Sequence, residues 1–145
     1  MAKILLVNGP NLNLLGQREP EIYGATTLGQ IEDAVQKIVS ANGHQLECIQ
    51  SNHEGELVDW LQSKTDSAFL LINAASLTHT SIALRDTLSF LKIPFVEIHI
   101  SNVYCRETFR HKSYLSDIAI GVIAGLGASG YDAAAQFAVT YLQNN

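Results

Sequence analysis

The chain has 145 residues, 47% of them hydrophobic and 16% charged, a composition that suits one compact domain burying roughly 70% of its unfolded surface and excludes disorder. Nine Lys and Arg stand against fourteen Asp and Glu, with no run of basic residues, so nucleic acid is not expected as a partner, although a few placed arginines suffice for a small anion. Two cysteines, Cys48 and Cys105, match neither a metal spacing nor a disulfide framework, which fits a cytoplasmic protein.

Four apolar residues separate Lys3 from Asn8, too few for a signal sequence or a membrane helix, and residues 3–8 are predicted as a short buried strand. Residues 27–42 are predicted as a helix with Leu28, Ile31, Val35 and Ile38 on one face, a Thr27/Gln30 capping box and Gly43 at its end. A strand at 46–51 and a helix at 54–64 follow, then the unbroken apolar run 68–73, whose lack of alternation predicts a strand covered on both faces. A third long helix is predicted over 81–91, ending before Pro94, with a fourth strand at 95–100 directly after it. Residues 118–139 come nearest to a membrane-length run, but Gly121, Gly125, Gly127, Gly130 and Asp132 divide them into a strand at 118–124, a turn and a final helix ending near Gln143.

Strands and helices therefore alternate through one domain, 1–145, as expected of a flavodoxin-like three-layer α/β sandwich with a parallel sheet of order 2-1-3-4-5. In such a sheet ligands bind beyond the carboxyl ends of the strands, where the order reverses. The first strand ends in Asn8-Gly9-Pro10-Asn11, the third in Asn73 with His79 beyond it, and the fourth in His99-Ile100-Ser101, so amide, imidazole and hydroxyl groups converge on one crevice. Residues 14–25, carrying Arg18 and Tyr23, form a long connection, read either as a lid or as a surface excursion against a neighbouring subunit.

Glu97 and His99 fall on the same face of the fourth strand, one pleat apart. That places either an oriented, more basic imidazole or a satisfied core histidine there. Arg106 and Arg110 follow at helical spacing, which fits a solvated helix face as well as a binding site. The match of residues 125–130 to G-x-G-x-x-G is set aside, because no later strand is expected to carry an acidic ribose partner; tight helix-to-strand packing is expected of these glycines instead. No serine sits in a G-x-S-x-G elbow, and the five histidines show no ligand spacing, so neither a serine hydrolase nor a metal is implied.

Five segments, NGPNLNLLGQREPEIYG (8–24), QSNHEGELVDWL (50–61), THTSIALRD (78–86), EIHISN (97–102) and RETFRHKSYLSDIAIGVIAGLGASGY (106–131), resemble the type II 3-dehydroquinate dehydratases, or type II dehydroquinases, over nearly the full chain. The resemblance implies a lyase of the shikimate pathway, in aromatic amino acid biosynthesis. It implies reversible anti elimination of water from 3-dehydroquinate to 3-dehydroshikimate through an enolate, with no cofactor, metal or Schiff-base lysine. It further implies Tyr23 as base, His99 as acid, Asn11 at the enolate, and Arg18 and Arg106 depressing the tyrosine's pKa, with Glu97 supporting His99. Asn73, His79, Arg110 and the backbone of Ile100 and Ser101 are implied in substrate binding, as is Asp86 from an adjoining subunit of a cytoplasmic dodecamer of trimers. Two departures stand out. Asn73-Ala74-Ala75-Ser76 replaces a glycine-containing turn, expected to set two β-carbons and a hydroxyl on the crevice floor, and Tyr104-Cys105 replaces His-Ala, with Cys105 read as a small buried filler rather than a reactive thiol. The alternative from another class is a noncatalytic module binding an anionic metabolite or nucleotide on the loop after the first strand, a poor phosphate cradle without a glycine-rich turn.

Overall fold

The computed structural model describes every residue except Arg18, and every side chain except those of Arg18 and Tyr23. Five parallel strands, β1 (Lys3–Asn8), β2 (Gln45–Gln50), β3 (Phe69–Asn73), β4 (Phe95–His99) and β5 (Gly121–Ala124), form one sheet in the order β2-β1-β3-β4-β5. The helices are α1 (Pro20–Tyr23), α2 (Leu28–Ala41), α3 (Glu54–Gln62), α4 (Ile82–Leu91) and α5 (Ser129–Asn144).

Strand pleating sends alternate residues to opposite faces, and this splits the core in two. Ile4, Leu6, Phe69, Leu71, Val96 and Ile98 meet Ile31, Val35 and Val39 of α2 and Tyr131, Ala134, Ala135 and Ala138 of α5. Leu5, Val7, Leu70, Ile72 and Phe95 meet Leu57 and Leu61 of α3 and Leu84 and Leu88 of α4. Every residue of β3 is buried, as its unbroken apolarity predicts. Helix α2 begins with the full capping box: Gln30 N donates to Thr27 Oγ1 and Thr27 N to Gln30 Oε1.

Several boundaries differ from the expectation, each for a local reason. The apolar stretch before β5 opens with a 3-10 turn at Ser116–Ile118, so that strand starts at Gly121 rather than at 118. Strand β2 lies one residue earlier than predicted, and α3 stops at Gln62. Within 14–25 the chain is not wholly irregular: Pro20, favoured at a helix start, opens the single turn of α1. Among residues 125–130, packing accounts for Gly125 and Gly130, whose added Cβ would lie 3.1 Å from Asn102 Cβ and 3.3 Å from Ile123 Cγ2 respectively. Among the described residues no helix is long and apolar enough to cross a membrane.

Candidate active site

The carboxyl ends of β1, β3 and β4 enclose a cleft of about 260 Å³, room for one small ring rather than a dinucleotide. Beyond β1 it is lined by Pro10, Asn11 and Leu12. Asn11 adopts a left-handed backbone (φ 70°), a conformation that asparagine tolerates, and its N–H donates to Asn52 Oδ1 at 2.9 Å. Gly9 N donates to Asn73 O at 2.8 Å, stitching the ends of β1 and β3 together below the cleft.

Asn73, Ala75, Ser76 and His79 line the wall beyond β3. Asn73 is buried, with Oδ1 accepting from Ala75 N and Nδ2 donating to Tyr131 Oη at 2.8 Å, which fixes the sense of its amide. The floor departs from the two-β-carbon expectation, because Ala74 is fully buried in the core beside α4 and only Ala75 and Ser76 line the cleft. Ala75 holds φ 53°, the left-handed region where a glycine is favoured. His79 Nδ1 donates to Lys112 O at 2.7 Å, leaving Nε2 as the other ring position. Burial pushes the His79 imidazole below its ordinary value of 6.5, outweighing the opposing hydrogen bond to Lys112.

His99, Ile100, Ser101, Arg106 and Arg110 line the wall beyond β4. Glu97 and His99 do meet on one face of β4, with Oε2 and Nε2 2.5 Å apart, both side chains nearly inaccessible. The same carboxylate accepts from Ser113 Oγ at 3.0 Å and Ser116 Oγ at 2.8 Å. Burial pushes the Glu97 carboxyl up, but His99, Ser116 and Ser113 together more than offset it, leaving the group below its ordinary 4.5.

Arg106 and Arg110 share no continuous helix, contrary to their spacing. They end two successive 3-10 turns, Val103–Cys105 and Thr108–Arg110, and the folding of those turns brings both to the cleft. Arg106 Nη1 donates to Ser101 Oγ at 3.2 Å, and Glu107 lies between the two guanidiniums, 2.8 Å from Arg110 Nε and 3.9 Å from Arg106 Nε. Two arginines, with no carboxylate among the described lining residues, make this a cationic cleft in a chain of net charge −5. It suits a small anion.

Arg18 lies outside the described residues, and so does the side chain of Tyr23. The flanking residues Ile22 and Gly24 share a second, adjoining cleft with Ile100, Ser101 and Arg106, which places these two residues beside the end of β4. Asp86 is not brought into the cleft; it is exposed on α4. Cys105 is exposed rather than buried, its sulfur accepting from Asn102 Nδ2 at 3.2 Å, because the turn at Val103–Cys105 points only Val103 inward. Sequence reasoning missed Ser113, Ser116 and Tyr131. Their only signal was membership of the 106–131 segment.

A family model described as dehydroquinase class II matches residues 2–139. The chain belongs to the class II dehydroquinase family. A 3-dehydroquinate dehydratase of Bordetella avium is 57% identical over 140 residues, covering 95% of this chain and 97% of that one. One from Janthinobacterium is 57% identical over 145 residues, covering 98% of this chain and all of its own. The crystal structure of a type II dehydroquinase from Butyrivibrio crossotus superposes with a TM-score of 0.90 at 39% identity, covering 98% of this chain and 97% of that chain. In this class II dehydroquinase the cleft thus sits where a flavodoxin-like sheet reverses its strand order, between β1 and β3.

Proposed function

We propose that this class II dehydroquinase eliminates water from 3-dehydroquinate by an anti mechanism with Tyr23 as base and His99 as acid. The observation that carries the acid assignment is the buried Glu97–His99 pair opening onto a cationic cleft. The paired carboxylate orients the ring, whose imidazolium form gives its proton to the departing hydroxyl. Asn73, His79, Arg110 and the backbone of Ile100 and Ser101, all on the cleft wall, hold the substrate's hydroxyls and carboxylate. Asn11, at the end of β1, stabilises the enolate oxygen formed when Tyr23 removes the proton beside the carbonyl.

The base needs electrostatic help. A free phenol titrates near pH ~10, so a phenol half-ionised at neutrality must be stabilised as its anion by roughly 4 kcal/mol. One unit charge at ~4 Å supplies about that much at an effective dielectric of ~20. Arg18 and Arg106 are assigned this role, with residues 14–25 as the lid that excludes water; the second cleft, which joins Ile22 and Gly24 to Arg106, supports it.

A closed homo-oligomer, a cytoplasmic dodecamer of trimers, belongs to the same reading. Asp86 shares a face of α4 with Ile82 and Phe90, which are 58% and 78% exposed, so a subunit covering those apolar groups receives Asp86 at its own cleft. Light scattering tests the assembly.

The activity is tested by following the ultraviolet absorbance of the conjugated product after 3-dehydroquinate is added to metal-free protein, with Tyr23→Phe inactive. Arg18→Gln lowers turnover and moves the ionisation of the base to higher pH; an unaltered pH profile rejects Arg18 in this role.

A further inference from the structure

Residues 112–116 form a turn outside the lining of the cleft, yet they hold His79 directly and reach His99 through Glu97. We propose that Ser113 and Ser116 are positioning residues whose hydroxyls clamp the Glu97 carboxylate against His99, keeping it ionised and directing one ring nitrogen of His99 into the cleft. This deepens the acid role given to His99 and rests on it.

The direction of the serine protons follows from counting partners. Ser113 Oγ accepts from Leu115 N at 3.0 Å and from Ser116 N at 3.1 Å, so its acceptor positions are used and its single O–H goes to Glu97 Oε1. Ser116 Oγ lies 2.8 Å from the same oxygen. With Oε1 saturated by two donors, Oε2 is left for His99 Nε2, and Nδ1 is the ring atom that remains for substrate. The turn has little freedom to drift: Tyr114 N donates to Thr78 O, Arg85 Nη1 donates to Tyr114 O at 2.8 Å, and Arg85 also pairs with Asp117. Lys112 O in the same turn receives His79 Nδ1, and the His79 and His99 rings stack with centroids 6.3 Å apart.

Ionisation of Glu97 matters because, apart from Glu107 beside Arg110, the charged groups described at the cleft are guanidiniums, which oppose a proton on His99. His79 approaches from beyond β3, and Arg106 and Arg110 from beyond β4. Without a serine donor, transfer of the proton from His99 to the buried carboxylate becomes competitive, and the acid is lost as a neutral pair.

Ser116→Ala is the clean variant, since among the described residues the hydroxyl hydrogen-bonds to Glu97 alone. The Glu97 carboxyl carbon is followed by NMR in ligand-free protein, with its resonance assigned by loss in Glu97→Gln. In Ser116→Ala the midpoint rises by about one pH unit, the size of one charge-assisted hydrogen bond, and Ser116→Thr restores it. In parallel kcat falls, by up to about tenfold, with KM within about twofold. An unmoved midpoint overturns the proposal. A moved midpoint with wild-type kcat supports the clamp and rejects His99 as acid, so the two failures are separable. A measurement on the wild-type protein needs no variant: nitrogen NMR places the proton of neutral His99 on Nε2, and the opposite tautomer overturns the clamp.

Discussion

Replacing Tyr131 by Phe removes one oxygen from a fully buried network, and its effect follows from the partners left behind. The hydroxyl donates to Asn8 Oδ1 at 2.7 Å and accepts from Asn73 Nδ2 at 2.8 Å, and Asn8 Nδ2 already lacks a partner among the described residues. Burial pushes the phenol's pKa well up, so it stays a neutral donor at every working pH. Each buried polar group left unmade costs about 1–3 kcal/mol, partly offset because phenylalanine has no hydroxyl to desolvate, so the net loss is about 2–4 kcal/mol. For a chain of 145 residues, at ~3 °C per kcal/mol, the melting temperature falls by about 6–12 °C. The same loss frees the Asn73 amide to turn its carbonyl toward the cleft, and KM for 3-dehydroquinate rises about fivefold, the equivalent of ~1 kcal/mol. Urea unfolding at a fixed protomer concentration, with an unchanged m value, measures the first effect and initial rates the second. A stability change below about 0.5 kcal/mol refutes the view that this network holds the strand ends in place.

Gly9→Ala sets a Cβ 2.3 Å from the Ala74 carbonyl oxygen, so the β1–β3 stitch at Asn73 must open; a loss of about 3 kcal/mol or more in urea unfolding is expected. Ala75→Gly works the other way. Relief of the left-handed alanine, about 1–2 kcal/mol, exceeds the ~0.5–1 kcal/mol of added chain entropy, so the melting temperature rises by a few degrees, and a fall counts against backbone strain at this turn. The pH dependence has a defined sign at Glu97. Its folded pKa lies below the ordinary 4.5, so the stability it contributes is complete above that value and is lost as the pH falls through the folded one. Urea midpoints of the wild type and Glu97→Gln, well apart at neutral pH, converge on acidification below about pH 4.5, and a constant gap means that ionisation of Glu97 contributes nothing.

Much of this molecule was readable along the chain because its signals are local. The α2 helix declared itself through apolar spacing and a capping box that needs only residues 27 and 30, and the alternation of elements led to the sheet order observed. The meeting of Glu97 and His99 followed from strand pleating alone. Contacts between distant residues left no such trace. Ser113 and Ser116 reach Glu97 across 16 and 19 residues and Tyr131 reaches Asn8 across 123, and a serine or tyrosine in a helix-rich tail has no local mark of its eventual partner. Arg106 and Arg110 stand at helical spacing along the chain, yet turns rather than a helix bring both to the cleft. Periodicity determined which face of each element is buried and where the strands end. Only tertiary packing decided which polar groups are desolvated together, because a hydrogen bond's partner is chosen by proximity in space and its strength by the water that packing excludes.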